Sequence, residues 1–269
     1  MDWLEILTET AQHIKATVTP LIKTPIAEKT YGTGAGGDLK KHIDLQAEKA
    51  LVETLNEHNL DFTLISEETG TKCYGSKPTY YVTTDPIDGT TNTLRGIPFA
   101  CTSIAISKTP HLDAIQAAVV ADLFHDATYL AQKNLGAYRN YQKITPAQTA
   151  NLTGALIGLD LNTTKVPELS AKLNQLLTQT KHIRHLGANA LELCYVADGT
   201  TDAFIDIRGK LRTTDIAAAT LIIQEAGGII TTPQNTPLKN PLSPTEKVAF
   251  IAAGNTSLHQ TILKTLEKA

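Results

Sequence analysis

At 269 residues and 42% hydrophobic content, the chain is long enough to bury one large core or two cooperating ones. Its formal net charge of −3 leaves no electrostatic footprint for nucleic acid or an anionic membrane, so any attraction for an anionic substrate has to be local. Cys73, Cys101 and Cys194 show neither paired spacing nor a zinc signature, and their odd number argues against a closed disulfide set and for a cytoplasmic setting.

The N-terminus carries acidic residues early and no basic region ahead of an apolar core, unlike a secretory leader. Leu4, Leu7, Ala11, Ile14 and Val18 recur at helical spacing and predict a first helix packed on a sheet. No stretch approaches the ~20 apolar residues that cross a bilayer, so membrane residence is not expected. Gly32-Thr33-Gly34-Ala35-Gly36-Gly37-Asp38 is glycine-rich, but it lacks a Walker lysine-serine ending and a dinucleotide fingerprint. Leu45, Leu51, Val52 and Leu55 place apolar residues on one side of a following helix, with Asp44 as its N-cap candidate.

Two strand ends then carry acidic residues. Phe62-Thr63-Leu64-Ile65 reads as a strand that delivers Ser66-Glu67-Glu68-Thr69-Gly70, and Tyr80-Tyr81-Val82-Thr83-Thr84 reads as a buried strand that delivers Asp85-Pro86-Ile87-Asp88-Gly89-Thr90-Thr91-Asn92. Pro86 is expected to end the ladder and turn the Ile87 carbonyl away from the sheet. A carbonyl and two carboxylates within four residues form a hard-oxygen set suited to Mg²⁺ or Mn²⁺ rather than zinc. Gly89 permits close backbone approach to a ligand, and the amides of Gly89, Thr90 and Thr91 are placed to open a helix toward an anion. Taken alone, the Asp-Gly pair is also satisfied by an ordinary turn with an Asx cap.

Between residues 100 and 139 the pattern is strand-rich, at Thr102-Ser103-Ile104-Ala105-Ile106, Ala114-Ile115-Gln116-Ala117-Ala118-Val119-Val120 and Thr128-Tyr129-Leu130-Ala131, which predicts a mostly antiparallel sheet. The polar stretch 142–153 is the candidate boundary between an N-terminal α+β half, 1–145, and a C-terminal α/β half, 146–269. That second half alternates: a strand at Ala155-Leu156-Ile157-Gly158-Leu159, a helix over 169–177, and a tight turn at Gly187-Ala188 opening a core helix that stops near Gly199. Next come a strand from Thr201 to Arg208 and a buried helix from Thr213 to Gly227-Gly228, with threonines as N-cap candidates and Asp215 in its first turn. By itself Asp215 merely suits the helix dipole. A proline- and asparagine-rich loop over 233–244 precedes the strand Val248-Ala249-Phe250-Ile251 and a closing helix.

The Glu67-Glu68 pair, the Asp85-to-Asn92 run, and Asp215-Ile216-Ala217-Ala218 followed by Glu225-Ala226-Gly227-Gly228 together resemble the inositol monophosphatase family, and more closely its archaeal branch, over nearly the whole chain. Thr214 stands where many members have Trp, and Ala219 where many have Gly; neither change removes a ligand. The resemblance implies a layered αβαβα sugar-phosphatase sandwich and a Mg²⁺-dependent phosphomonoesterase, acting on inositol 1-phosphate and fructose 1,6-bisphosphate, with relatives that are commonly dimers.

Carried over residue by residue, it implies a first ion on Glu67, Asp85 and the Ile87 carbonyl, a second on Asp85, Asp88 and Asp215, and a weaker third that uses Glu67 with water. Asp44 and Thr90 would orient the attacking water, the Gly89 and Thr90 amides would bind phosphate oxygens, and Gly187 and Ala188 would line the sugar pocket. Asp206 matches a carboxylate that binds substrate hydroxyls, with partnership to Arg208 as its other reading. Arg208, with Arg184, Lys210 or Arg212 nearby, would pair with a second phosphate. The glycine-rich loop becomes, by resemblance, a mobile segment approaching the third ion, with Asp38 and Lys40 as possible additions to the site. Two ions roughly 3.5–4 Å apart neutralise a phosphate dianion and hold water in line, so no covalent enzyme intermediate is required. The alternatives are a 3′-phosphoadenosine 5′-phosphate phosphatase, whose members usually carry Lys where Thr91 stands, and a non-catalytic metal- and phosphate-binding module.

Overall fold

The computed structural model describes residues 2–161 and 169–267. Asp2 caps the first helix, α1 (Trp3–Val18), by accepting from the Leu4 and Glu5 amides at 3.1 and 3.3 Å, which satisfies donors that a helix start leaves open. Leu7, Ala11, Ile14 and Val18 form its buried stripe, as their spacing predicts. The glycine-rich segment is the tip of a small hairpin, β1 (Thr30–Thr33) against β2 (Leu39–Lys41). α2 (His42–Glu57) follows with Lys41 in the cap position, so Asp44 lies inside the first turn rather than capping it.

β3 (Phe62–Ser66) is followed by β4 (Gly70–Tyr74) and β5 (Tyr80–Asp88). β3 and β5 run parallel with Ser66 opposite Thr84, so Glu67 and Asp85 come next at neighbouring positions of adjacent strands. Pro86 does not end the ladder as expected. β5 continues to Asp88, which pairs with Cys101, and the proline sits in a register irregularity between Asp85 and Asp88. A bulge accommodates the missing N–H and bends the strand, which re-aims its side chains. α3 (Thr90–Arg95) starts directly after Gly89, whose φ of 92° lies in the left-handed region.

β6 (Cys101–Ser107), β7 (Ile115–Asp122), β8 (Thr128–Gln132), β9 (Gly136–Arg139) and β10 (Gln142–Lys143) complete an eight-stranded sheet in the order β10-β9-β8-β7-β6-β5-β3-β4. Its pairs are antiparallel apart from β3 and β5. Side chains alternate across it: Ile104, Ile106, Ala117 and Val119 pack with α1 and α2, while Cys101, Ala105, Ala118 and Val120 face the opposite way.

The rest of the chain supplies β11 (Leu156–Leu159), α4 (Leu169–Gln179), β12 (His182–Arg184), α5 (Asn189–Ala197), β13 (Ala203–Arg212), α6 (Thr213–Ala226), β14 (Ile229–Thr231), β15 (Lys247–Ala253) and α7 (Thr256–Glu267). Its five-stranded sheet has the order β12-β11-β13-β15-β14. α5 and α6 lie between the two sheets, and α4 and α7 pack on the far face of the smaller one, which gives the αβαβα layering. The central core mixes residues from both sides of position 145, including Ile65 and Ala118 with Leu191, Ile216 and Phe250. Burial of this shared apolar surface holds the two halves in register.

α6 differs in detail from its sequence reading. Arg212, not a threonine, occupies its N-cap position; Thr213 and Thr214 lie in the first turn, where their hydroxyls donate to the Ser243 carbonyl and to Asp215. No helix among the described residues is long and apolar enough to cross a membrane.

Candidate active site

The two acidic strand ends and the start of α6 meet in one cavity of about 530 Å³. Carboxylate oxygens of Glu67, Asp85 and Asp215 lie within 4.8 Å of one another. Asp44, Ile87, Asp88, Gly89, Thr90 and Gly187 line the same space. Asp215 is brought there because α6 packs across the larger sheet beside β5 and β6.

Local geometry aims each group. Asp85 accepts from the Ile87 amide at 3.1 Å, which fixes the bulge around Pro86. Asp88 accepts from the Ala190 amide at 2.6 Å, so the first turn of α5 is tied to the end of β5. The Thr90 hydroxyl lies 3.2 Å from Asp44 Oδ1 and 3.0 Å from the Ile87 carbonyl oxygen. Gly89 is required twice over: its φ is positive, and a Cβ there would meet the Ala100 Cβ and Phe99 carbonyl at 3.1 Å and the Ala188 Cβ at 3.2 Å.

Burial without enough countercharge perturbs the carboxyls. Glu67 is pushed up to about 8 by desolvation, opposed by Arg212 and reinforced by Asp215, Asp38 and Asp44. Asp85 rises well above the usual carboxylate range through burial and then Glu67, Asp88 and Asp215. Asp88 reaches about 7 through burial despite the Ala190 amide, and Asp44 about 7 through burial despite its Thr90 bond. Glu68, one residue beyond Glu67, is lifted to about 8 by burial, with Asp44 and Glu67 adding to it. For Arg212, burial disfavours the charge, but Asp215, Glu67, Asp85 and Asp38 outweigh it and hold the guanidinium ionised. Crowded hard-oxygen donors that resist joint ionisation are what a divalent cation relieves, so the donor set fits such an ion.

Not every candidate reaches this cavity. Ala188 is fully buried beneath the Gly89 turn, and Asn189 lines the cavity beside Gly187 instead. Asp206 and Arg208 pair with each other, Nε to Oδ1 at 3.0 Å, and the Arg208 guanidinium also bridges to Asp160. With Asp206 fully buried and the Arg208 side chain only 5% exposed, neither borders the cavity. Arg184 and Lys210 are likewise outside its lining, whereas Arg212 is part of it. Three contributors have no role in the sequence reading, although Glu68 and Asn92 lie within the quoted motifs. Glu68 lines the cavity beside Glu67; Glu192 accepts from the Leu186 and Gly187 amides and so shapes the pocket turn; Asn92 donates to the Phe99 and Leu186 carbonyls, tying α3 to that turn.

The model of the inositol monophosphatase family matches residues 3–269. The chain belongs to the inositol monophosphatase family. Among its relatives, the fructose-1,6-bisphosphatase/inositol-1-monophosphatase of Methanothermobacter thermautotrophicus is 33% identical over 274 residues, covering 98% of this chain and 96% of that protein. The protein of the same description from Thermococcus kodakarensis is 34% identical over 268 residues, covering 99% and 98%. A solved structure described as an inositol monophosphatase-fructose 1,6 bisphosphatase superposes with a TM-score of 0.85 at 29% identity, covering 98% of this chain and 100% of that one. Family membership makes this chain a metal-dependent phosphoric monoester hydrolase, and the cavity holds an acidic cluster able to bind a metal ion.

Proposed function

We propose that the chain hydrolyses inositol 1-phosphate and fructose 1,6-bisphosphate with Mg²⁺, and that Glu67, Asp85, the Ile87 carbonyl, Asp88 and Asp215 hold two ions, a third resting on Glu67. The observation that carries this reading is the convergence of Asp215 with Glu67 and Asp85 across nearly 150 positions of sequence, inside a cavity large enough for a sugar phosphate. The names of the archaeal relatives support the two substrates.

Bound divalent ions supply the charge that neutralises a phosphate dianion and acidifies a nucleophilic water. The protein groups divide the remaining work. Thr90 and Asp44 position the attacking water: the Thr90 hydroxyl donates to Asp44, which turns an oxygen lone pair toward a water proton. The Gly89 and Thr90 amides, at the start of α3 in the cavity lining, would bind phosphate oxygens. Gly187, fixed by Glu192, bounds the space for the sugar or inositol ring.

We assign the halves 1–145 and 146–269 complementary roles, the first carrying most ligands and the second contributing Asp215 and the pocket turn. The resemblance to the family supports a homodimer, and the free cysteines support a cytoplasmic setting. The small net negative charge supports a small-molecule partner rather than nucleic acid or membrane. Steady-state hydrolysis of both substrates with Mg²⁺, with Mn²⁺ and with chelator is the test. Turnover that survives chelation, or none with either substrate in Mg²⁺ or Mn²⁺, would overturn the assignment.

A further inference from the structure

Arg212 is engaged on two sides. Its Nη1 lies 2.8 Å from Glu67 Oε1, 2.9 Å from Asp38 Oδ2 and 3.2 Å from the Gly36 carbonyl oxygen, and its Nε lies 3.2 Å from Asp215 Oδ1. Glu67 and Asp215 are ion ligands in the reading above; Gly36 and Asp38 belong to the glycine-rich tip between β1 and β2. The guanidinium side chain is 12% exposed. The tip closes over it tightly: a Cβ at Gly36 would fall 2.3 Å from Arg212 Nη1 and 2.9 Å from Glu67 Cγ. Backbone bonds complete the seating, from the Gly36 amide to the Glu67 carbonyl at 2.9 Å and from the Gly34 amide to the Asp38 carbonyl at 2.7 Å. These acceptors leave Arg212 committed to the ligand shell rather than presented to a second phosphate.

We propose that Arg212 is a positioning residue with two linked duties: its fork tethers the 34–38 tip across the metal centre, and its charge tempers the affinity of Glu67 and Asp215 for divalent cations. The tether needs a planar fork, because one nitrogen serves Glu67 and the tip while another serves Asp215. The tempering needs only charge, because a cation a few ångströms from two ligands repels an incoming ion. The two duties therefore separate on substitution. The second rests on the metal assignment made above; the first does not.

The test compares wild type with Arg212→Met and Arg212→Lys by two measurements: amide hydrogen exchange of the metal-free proteins at Gly34 and Gly36, and Mn²⁺ binding by calorimetry. Arg212→Met is expected to exchange about tenfold faster or more at both glycines, with β6 and β7 amides unchanged, and to bind Mn²⁺ several-fold tighter, a coupling of ordinary size for neighbouring sites. Arg212→Lys is expected to match the Met variant in tip exchange while keeping Mn²⁺ affinity close to wild type. Slow tip exchange in Arg212→Met overturns the tether, and unchanged or weaker Mn²⁺ binding in Arg212→Met overturns the tempering. A residue serving only to start α6 would move β6 and β7 exchange and leave the tip and the ion alone. Failure of the wild type itself to bind Mn²⁺ would instead sink the metal assignment, with the exchange arm still deciding the tether.

Discussion

The Thr90 hydroxyl stands between Asp44 Oδ1 at 3.2 Å and the Ile87 carbonyl oxygen at 3.0 Å, joining α2 to the bulged end of β5. A hydroxyl has one proton for these two acceptors. A cation drawing on the Ile87 carbonyl would leave Asp44 as its partner, which would couple ion binding to water orientation through one side chain. Thr90→Ala is expected to lower kcat by about 10²- to 10⁴-fold, the usual size for lost proton management, with little change in Tm. Steady-state kinetics beside thermal melts checks this, and wild-type turnover in a folded Thr90→Ala protein would remove the pair from the mechanism.

Asp85 is shared between both proposed ions, and burial with Glu67, Asp88 and Asp215 already disfavours its charge. Asp85→Asn therefore removes little from the metal-free protein but takes away a donor to each ion. Turnover should vanish, the metal-free Tm should stay level or rise, and the Tm gain on adding Mg²⁺ should be lost. Melting curves with and without Mg²⁺ decide between this outcome and a merely structural role, which would lower the metal-free Tm.

Stability of the metal-free protein should fall as pH rises. Glu67 and Glu68 sit near 8 against an ordinary 4.5, and Asp44 and Asp88 near 7 against 3.8. Groups that bind protons more tightly when folded stabilise the native state fully below their unfolded pKa, and lose that contribution as pH climbs through the folded value. The metal-free Tm should accordingly drop between about pH 4 and pH 8, whereas saturating Mg²⁺ should flatten or reverse the trend. A metal-free Tm that rises over this range would contradict the burial of these carboxyls.

Arg208 separates packing from substrate binding. Arg208→Met leaves buried Asp206 and Asp160 without the guanidinium, a loss of about 3–5 kcal/mol for a broken buried ion pair. Denaturant unfolding should register that loss, while KM for inositol 1-phosphate measured well below the melting transition stays near wild type. A large KM increase with unchanged stability would return Arg208 to the substrate site.

Much of the architecture is written locally. The 3.6-residue spacing of Leu7, Ala11, Ile14 and Val18 marks a helix, and the run of strand-forming residues at Thr102–Ile106 marks the strand observed over Cys101–Ser107. The short strands β1, β2, β9, β10, β12 and β14 were not legible, because two to four residues carry too little periodicity and are held by their neighbours in the sheets. The Pro86 ladder shows the same limit: the local preference to stop is overridden by pairing with β6 on the far side of a bulge.

For the site, the sequence by itself determined the donor chemistry. Glu67, Asp85 and Asp88 beside turn residues define a hard-oxygen set, and their family pattern names Asp215 as the distant member. Tertiary structure alone decided which charges meet. Asp206 and Arg208 match a substrate-binding pattern yet satisfy one another, since two opposite charges two residues apart on a buried strand lower their desolvation cost by pairing. Arg212 reads in the sequence as one of several cations near Arg208 that could pair with a second phosphate, until α6 and the β1–β2 tip bring Glu67, Asp38 and Asp215 around it. A residue's type and spacing set what it is able to bind, but the burial and countercharge that make it bind come from elements far away in the chain.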